Sequence, residues 1–471
     1  MEIIQVSQLN TRFAISSSAV GDPLQVIETA YRRIEAERDR NCWIHVRPIA
    51  ETRDHCRALM ARAGAGETFP LLGVLFGVKD NIDVADMPTT AACPAFSYMP
   101  ARSARSVERL IAAGAICIGK TNLDQLATGL SGARSPYGAC ATVADPRYIS
   151  GGSSSGSAVA VAAGHVAFAL GTDTGGSGRI PAGFNDIVGI KPTVGLVSSR
   201  GLVPNCPTLD CVSIFCNTVQ DGADILDIIE GFDAEDCYSR PAPASVRPPA
   251  IGPFRFGRLR GQDLEFFGMP ECGTLYQQAC DRFSAQGGTA VEIDFAPFAE
   301  AGRMMFAGPW LAERRASIAA LMEIETDAVL DVTKSVLRPA ENYTAMDAFT
   351  AFHRLLRLRR QVQGFVAGID ALVVPTAPRP FLLDDMKRDP ITLNNRLGHY
   401  SYFANLLDLC AVAIPNGILP NGIPMGVTLL APAWTDRALI ALARRLEVGA
   451  PATPFALTSR ARPAPASLAD A

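Results

Sequence analysis

Apolar positions recur along this chain in two rhythms. Between residues 22 and 38, Val26, Ile27, Tyr31 and Ile34 fall at helical spacing. Asp22 is placed to cap that helix, with Pro23 in its first turn. CWIHV reads as a short strand. The run LLGVLFGV at 71–78 is apolar throughout, as a strand covered on both faces would be. SVERLIAAGA followed by ICIGK predicts helix then strand, and SAVAVAAG followed by VAFALGTD repeats the order. ALVVPTAP and VTLLAPAW are further strand-like runs. Alternating helices and buried strands predict an α/β fold, a sheet with helices on both faces. YSRPAPASVRPPAIGP at 238–253 reads as a surface excursion or linker, and the stretch after it, about 273–370, as mostly helical.

Composition narrows the function classes. The 471 residues are 48% hydrophobic and 19% charged, enough to bury a large core. The net charge is −4 with no basic block, which argues against nucleic acid as a partner. The longest apolar runs, such as AVAVAAGHVAFALG, contain Gly and His and fall short of a membrane span. MEIIQVSQLNTRF lacks a basic start followed by an apolar stretch, so a cytoplasmic protein is expected. The twelve cysteines are scattered without a CxxC pair, and there are only five histidines. That pattern predicts free thiols in a reducing compartment rather than a metal site.

The stretch ISGGSSSGSAVAVAAG at 149–164 has the composition of a linker but runs straight into an apolar segment. It has no Lys at phosphate-loop spacing. Gly152, Ser154 and Gly156 match G-x-S-x-G, but ATVADPRYI before them is broken by Asp-Pro and is no elbow strand. His165, His353 and His399 have no distinctive setting. A serine nucleophile would then need another base, and a lysine serves when burial depresses its pKa. Lys79, one of five lysines, ends the apolar run at 71–78, where active sites of open α/β sheets lie. From the residues alone, a catalytic base and an ion pair with Asp80 or Asp83 fit Lys79 equally. GTDTGGSGRIP holds Ser177 among glycines whose N–H groups could form an oxyanion hole; an ordinary turn before Pro181 fits as well.

Together these segments resemble the amidase signature family. GVKDNIDV is similar to its lysine motif, and GGSSSGSAVAVAAG with ALGTDTGGSGRIP to its serine- and glycine-rich signature. Ser153 and Ser177 are 24 apart, the family spacing, and GKTNLDQLATG and VGIKPTVG also match. The resemblance covers about residues 20–450. It implies a large mixed, twisted β-sheet flanked by helices, in one catalytic domain over 1–460. That domain would include a mostly helical substrate-binding region at about 254–370, followed by a disordered tail at 461–471. It implies Ser177 as nucleophile, Ser153 in a cis peptide as relay and Lys79 as neutral base. The N–H groups of Thr174, Gly175, Gly176 and Ser177 would form the oxyanion hole. No metal or cofactor is implied, and family habit suggests a homodimer. Ser155 and Ser157 would satisfy the start of the helix that follows.

Within the family the chain is most similar to allophanate hydrolases, through TNLDQLATGL, GPWLAERR at 308–315 and LNNRLGHYSYFANLLDL at 393–409. That similarity implies cleavage of a C–N bond in a small urea-type amide, allophanate first, with ammonia released. Arg314 would hold the substrate carboxylate, near Tyr400 and Tyr402. Four positions depart from the pattern. Phe306 stands for a carboxylate-binding Tyr, and Gly175 for an Ala. Asp186 turns FNN into FND, and Tyr402 replaces the Asn of YTNF. A lost hydroxyl and an added carboxylate would favour a neutral or cationic ureide, such as guanylurea or biuret.

Overall fold

The structure is a computed structural model, and it describes residues 22–244, 252–319 and 326–447. The chain begins with α1 (Pro23–Ala36), β1 (Trp43–Val46), α2 (Ile49–Gly64), β2 (Leu75–Lys79), α3 (Arg105–Ala112) and β3 (Ile116–Thr121). Next come α4 (Ser155–Ala162), β4 (Phe168–Asp173), α5 (Ile180–Phe184), β5 (Val188–Lys191), β6 (Cys211–Cys216) and α6 (Val219–Ile229). The second half holds β7 (Phe254–Leu259), α7 (Pro270–Ala285), β8 (Gly288–Ile293), α8 (Ala296–Met304), α9 (Trp310–Ser317), β9 (Ala371–Pro375), β10 (Leu409–Ile418) and β11 (Pro424–Pro432), with a long helix Ala345–Val366 before β9. α1 starts as its sequence predicts, with the Asp22 side chain accepting from Leu24 N and Pro23 at the first position.

All eleven strands form one mixed sheet in the order β1-β3-β2-β4-β6-β5-β10-β11-β9-β7-β8. β2 runs parallel to β3 and β4, and β7 parallel to β8 and β9; the remaining pairs are antiparallel. β4 shows why the central strands read as continuous apolar runs. Phe168 and Leu170 enter the cluster under α3, α6 and α7, while Ala169 faces the opposite cluster with Ile27, Ala30, Ala158 and Val161. Successive side chains alternate, so a strand covered on both faces needs apolar residues at every position. Among the described residues, no helix is long and apolar enough to cross a membrane.

Three expectations change. The run at 71–78 is strand only from Leu75, because Gly73, at φ 74°, turns the chain first. The stretch expected to be mostly helical, 254–370, contains β7 and β8, which extend the same sheet. β8 is an edge strand with most of its side chains exposed, so no apolar run marks it. Ser155 and Ser157 do not cap α4. Their hydroxyls donate to Asn122 O and Leu170 O, tying the helix to the chain beyond β3 and to β4. Residues 245–251 of the Pro-rich segment and the tail at 461–471 lie outside the described residues.

Candidate active site

β2 and β4 are parallel neighbours, so their C-terminal ends come together. Lys79 ends β2, and its Nζ lies 2.8 Å from Thr172 Oγ1 on β4 and 2.8 Å from Ser153 Oγ. Ser153 Oγ is 3.0 Å from Ser177 Oγ. Lys79 and Ser153 are wholly buried, and Ser177 is 5% exposed. The Gly152–Ser153 peptide is cis. Ser154, the centre of the G-x-S-x-G match, donates instead to Thr172 O at 3.0 Å.

The alternative partners of Lys79 are taken. Asp80 pairs with Lys120 at 3.0 Å, and Asp83 accepts from Thr89 and Tyr98. Burial lowers the Lys79 pKa to about 7, against a smaller opposing pull from Asp124, Asp210 and Asp173. A large fraction of this amine is therefore neutral near neutral pH and able to take a proton from Ser153.

The turn carrying Ser177 is built on the Asp173 carboxylate. It accepts from Gly176 N at 2.8 Å, Gly178 N at 3.0 Å, and the Arg179 guanidinium. Gly176 has φ 137°, and a Cβ there would collide with Ser401. Among the described residues, the N–H groups of Thr174, Gly175 and Ser177 have no protein acceptor, so they remain able to face a developing oxyanion. Gly176 departs from expectation, because its N–H is committed to Asp173.

Arg314, on α9, is 4% exposed, and among the described residues no carboxylate pairs with it. Its guanidinium lies 4.5 Å from the Phe306 ring centroid, Nη2 is 3.3 Å from Met305 Sδ, and Nε has no partner. The Phe306 ring packs on Tyr402 at 4.3 Å. Tyr402 in turn reaches the serine turn, since a Cβ on Gly175 would lie 3.1 Å from its Cδ1. The Tyr402 ring thus occupies space that a methyl on Gly175 would press upon. The Tyr402 hydroxyl donates to Asn394 O at 3.2 Å, so its ring rather than its hydroxyl forms this wall. A cavity of about 270 Å³ opens against Gly302, Phe306, Gly398 and Tyr402.

One expected substrate residue, Tyr400, does not join this group, and Asp186 follows the short helix after the serine turn. The Tyr400 hydroxyl donates to Glu265 O at 3.0 Å and accepts from Glu265 N at 2.6 Å, and its ring packs among Phe266, Phe295 and His399. It buttresses the 265 segment. Asp186 lies beyond the far end of α5. Its neighbour Ile187 enters the cluster under α1 and α4, and Asn185 donates to Ser150 O and Pro181 O.

Two further buried carboxylates stand behind the site, Asp124 within the GKTNLDQLATG motif and Asp210. The Asp124 carboxylate accepts from the N–H groups of Ser131, Gly132 and Arg134, and its own N–H donates to Ser153 O. Asp210 accepts from Thr174 Oγ1 and from the N–H groups of Asn205 and Cys206, and burial raises its pKa to about 6. A buried carboxylate is recognised by the backbone donors around it, which a sequence does not display.

A family profile described as Amidase matches residues 25–440. The chain is 40% identical over 408 residues to urea amidolyase of Saccharomyces cerevisiae, a match that covers 86% of this chain and 22% of that protein. It is 32% identical over 458 residues to a glutamyl-tRNA(Gln) amidotransferase subunit of Deinococcus radiodurans, covering 91% of this chain and 94% of that one. The structure of Kluyveromyces lactis allophanate hydrolase superposes with a TM-score of 0.86 at 37% identity, over 91% of this chain and 71% of that one. The chain thus spans less than a quarter of the urea amidolyase it resembles.

Proposed function

The chain belongs to the amidase family, and from that membership we propose that it hydrolyses the C–N bond of allophanate, urea-1-carboxylate, releasing ammonia. The observation that carries the reaction type is the continuous file Lys79–Ser153–Ser177, at 2.8 and 3.0 Å. In this reading neutral Lys79 takes the Ser153 proton as Ser153 takes that of Ser177. Ser177 Oγ bonds to the amide carbonyl carbon. The N–H groups of Thr174, Gly175 and Ser177 receive the oxyanion. The proton returns through Ser153 to the nitrogen, the C–N bond breaks and ammonia leaves. Water then attacks the acyl ester by the same relay and frees Ser177.

Arg314 supports an anionic substrate. A buried guanidinium without a carboxylate partner is electrostatically incomplete until an anion reaches it. The resemblance to allophanate hydrolase and urea amidolyase points the same way. The test is ammonia release from allophanate, guanylurea, biuret and malonamate. Allophanate is expected to be fastest; guanylurea faster than allophanate would overturn the substrate, and no ureide turnover the whole proposal. Ser177→Ala should abolish turnover. The same reading makes the enzyme a cytoplasmic homodimer, consistent with twelve free thiols, eleven of them buried; light scattering at twice 50.0 kDa would check the dimer.

A further inference from the structure

Asn205 lies on the segment that joins the serine turn to the helix bearing Arg314. At one end, its N–H donates to Asp210 Oδ2 at 2.8 Å, and the other oxygen of Asp210 accepts from Thr174 Oγ1 in the oxyanion turn. At the other end, the next residues grip Glu313, the neighbour of Arg314 on α9. Cys206 Sγ donates to Glu313 Oε2 at 3.0 Å, and Thr208 N to Glu313 Oε1 at 2.8 Å. The segment of Asn205 is therefore bonded on one side to the oxyanion turn, through Asp210, and on the other to the helix of Arg314, through Glu313.

Its side chain is fixed and half satisfied. Nδ2 donates to Leu126 O at 3.0 Å and Thr128 Oγ1 at 3.1 Å. Leu126 O can only accept, so the amide nitrogen must face it and the orientation is determined. Oδ1 is left buried, with no partner among the described residues, in a residue 4% exposed. A buried amide oxygen without a donor is unfavourable unless a ligand or water supplies one.

We propose that Asn205 Oδ1 accepts the central N–H of a ureide whose carbonyl lies at Ser177 and whose carboxylate lies at Arg314. This inference rests on the proposed function and adds a specificity-determining residue to it. It makes the site a reader of –CO–NH–COO⁻ over –CO–CH₂–COO⁻. The two groups are similar in length and charge, but the methylene offers Asn205 no donor.

The experiment compares kcat/KM for allophanate and malonamate in the wild type and in Asn205→Ala. Loss of the acceptor should lower the allophanate value about tenfold more than the malonamate value, the effect of one hydrogen bond. The malonamate rate also reports whether the variant is folded. Asn205→Ser, which keeps a hydroxyl beside Thr128, repeats the comparison should the alanine variant not fold. Equal losses for both substrates, or no loss for either, would overturn the inference while leaving the proposed function standing. A wild type that turns over neither substrate would overturn both.

Discussion

Asp173 and Arg179 close on each other across the nucleophile turn through two hydrogen bonds, 2.9 Å from Nε and 3.0 Å from Nη2, both side chains wholly buried. Burial by itself would raise the Asp173 pKa. Arg179, Lys191 and the Gly176 N–H outweigh it and hold the carboxyl below its usual range. Asp173→Asn would leave Arg179 buried without its counter-charge. The expected loss of folding stability is about 3–5 kcal/mol, read by urea denaturation, with turnover falling as the turn loosens. Unchanged stability would show that Arg179 finds another partner.

The lowered pKa of Lys79 makes two measurable statements. Catalysis in the proposed reading needs the neutral amine, so kcat/KM should fall on the acid side with an apparent pKa of about 7. The sign for stability follows from proton counting. Unfolded Lys79 holds its proton up to about 10.5, folded Lys79 only up to about 7, so between them the unfolded state binds more protons. Rising pH therefore favours the fold through this residue. Lys79→Met should be inactive, and its melting temperature relative to wild type should be highest below pH 7 and shrink towards pH 10. A difference independent of pH would contradict the buried, depressed lysine.

The contact between Gly175 and Tyr402 can be tested by a double-mutant cycle. Gly175→Ala alone places a methyl 3.1 Å from the Tyr402 ring and should destabilise by about 1–3 kcal/mol. Adding Tyr402→Asn makes room for that methyl. The two changes should then couple favourably by about 0.5–3 kcal/mol in thermal unfolding. Simple additivity would show that the two side chains do not interact.

Arg314→Met separates binding from stability. The KM for allophanate should rise on the order of 100-fold through loss of the carboxylate contact. The fold should be as stable as wild type or more so, because the arginine is buried without an ion pair. Phe306→Tyr adds a hydroxyl beside the guanidinium and should raise kcat/KM for allophanate several-fold. An unchanged value would place the substrate away from the Phe306–Arg314 contact.

The sequence by itself determined the α/β class and most strand and helix positions around the site, while Lys79, Ser153 and Ser177 were singled out by the resemblance of their segments to a family signature. Periodicity and local turn chemistry are properties of neighbouring residues, and those a chain displays directly. It could not determine β8, an exposed edge strand without an apolar run, or that Ser155 and Ser157 bond to neighbouring segments instead of capping α4. Nor could it tell which tyrosine forms the wall. Tyr400 and Tyr402 stand two residues apart, yet one hydroxyl is spent on Glu265 and the other ring meets Phe306. The parallel pairing of β2 and β4 brings Lys79 to residues 74 and 98 positions away. The burial that lowers its pKa arises from that packing of distant segments. Only the tertiary structure sets it, because desolvation depends on what surrounds a group in space.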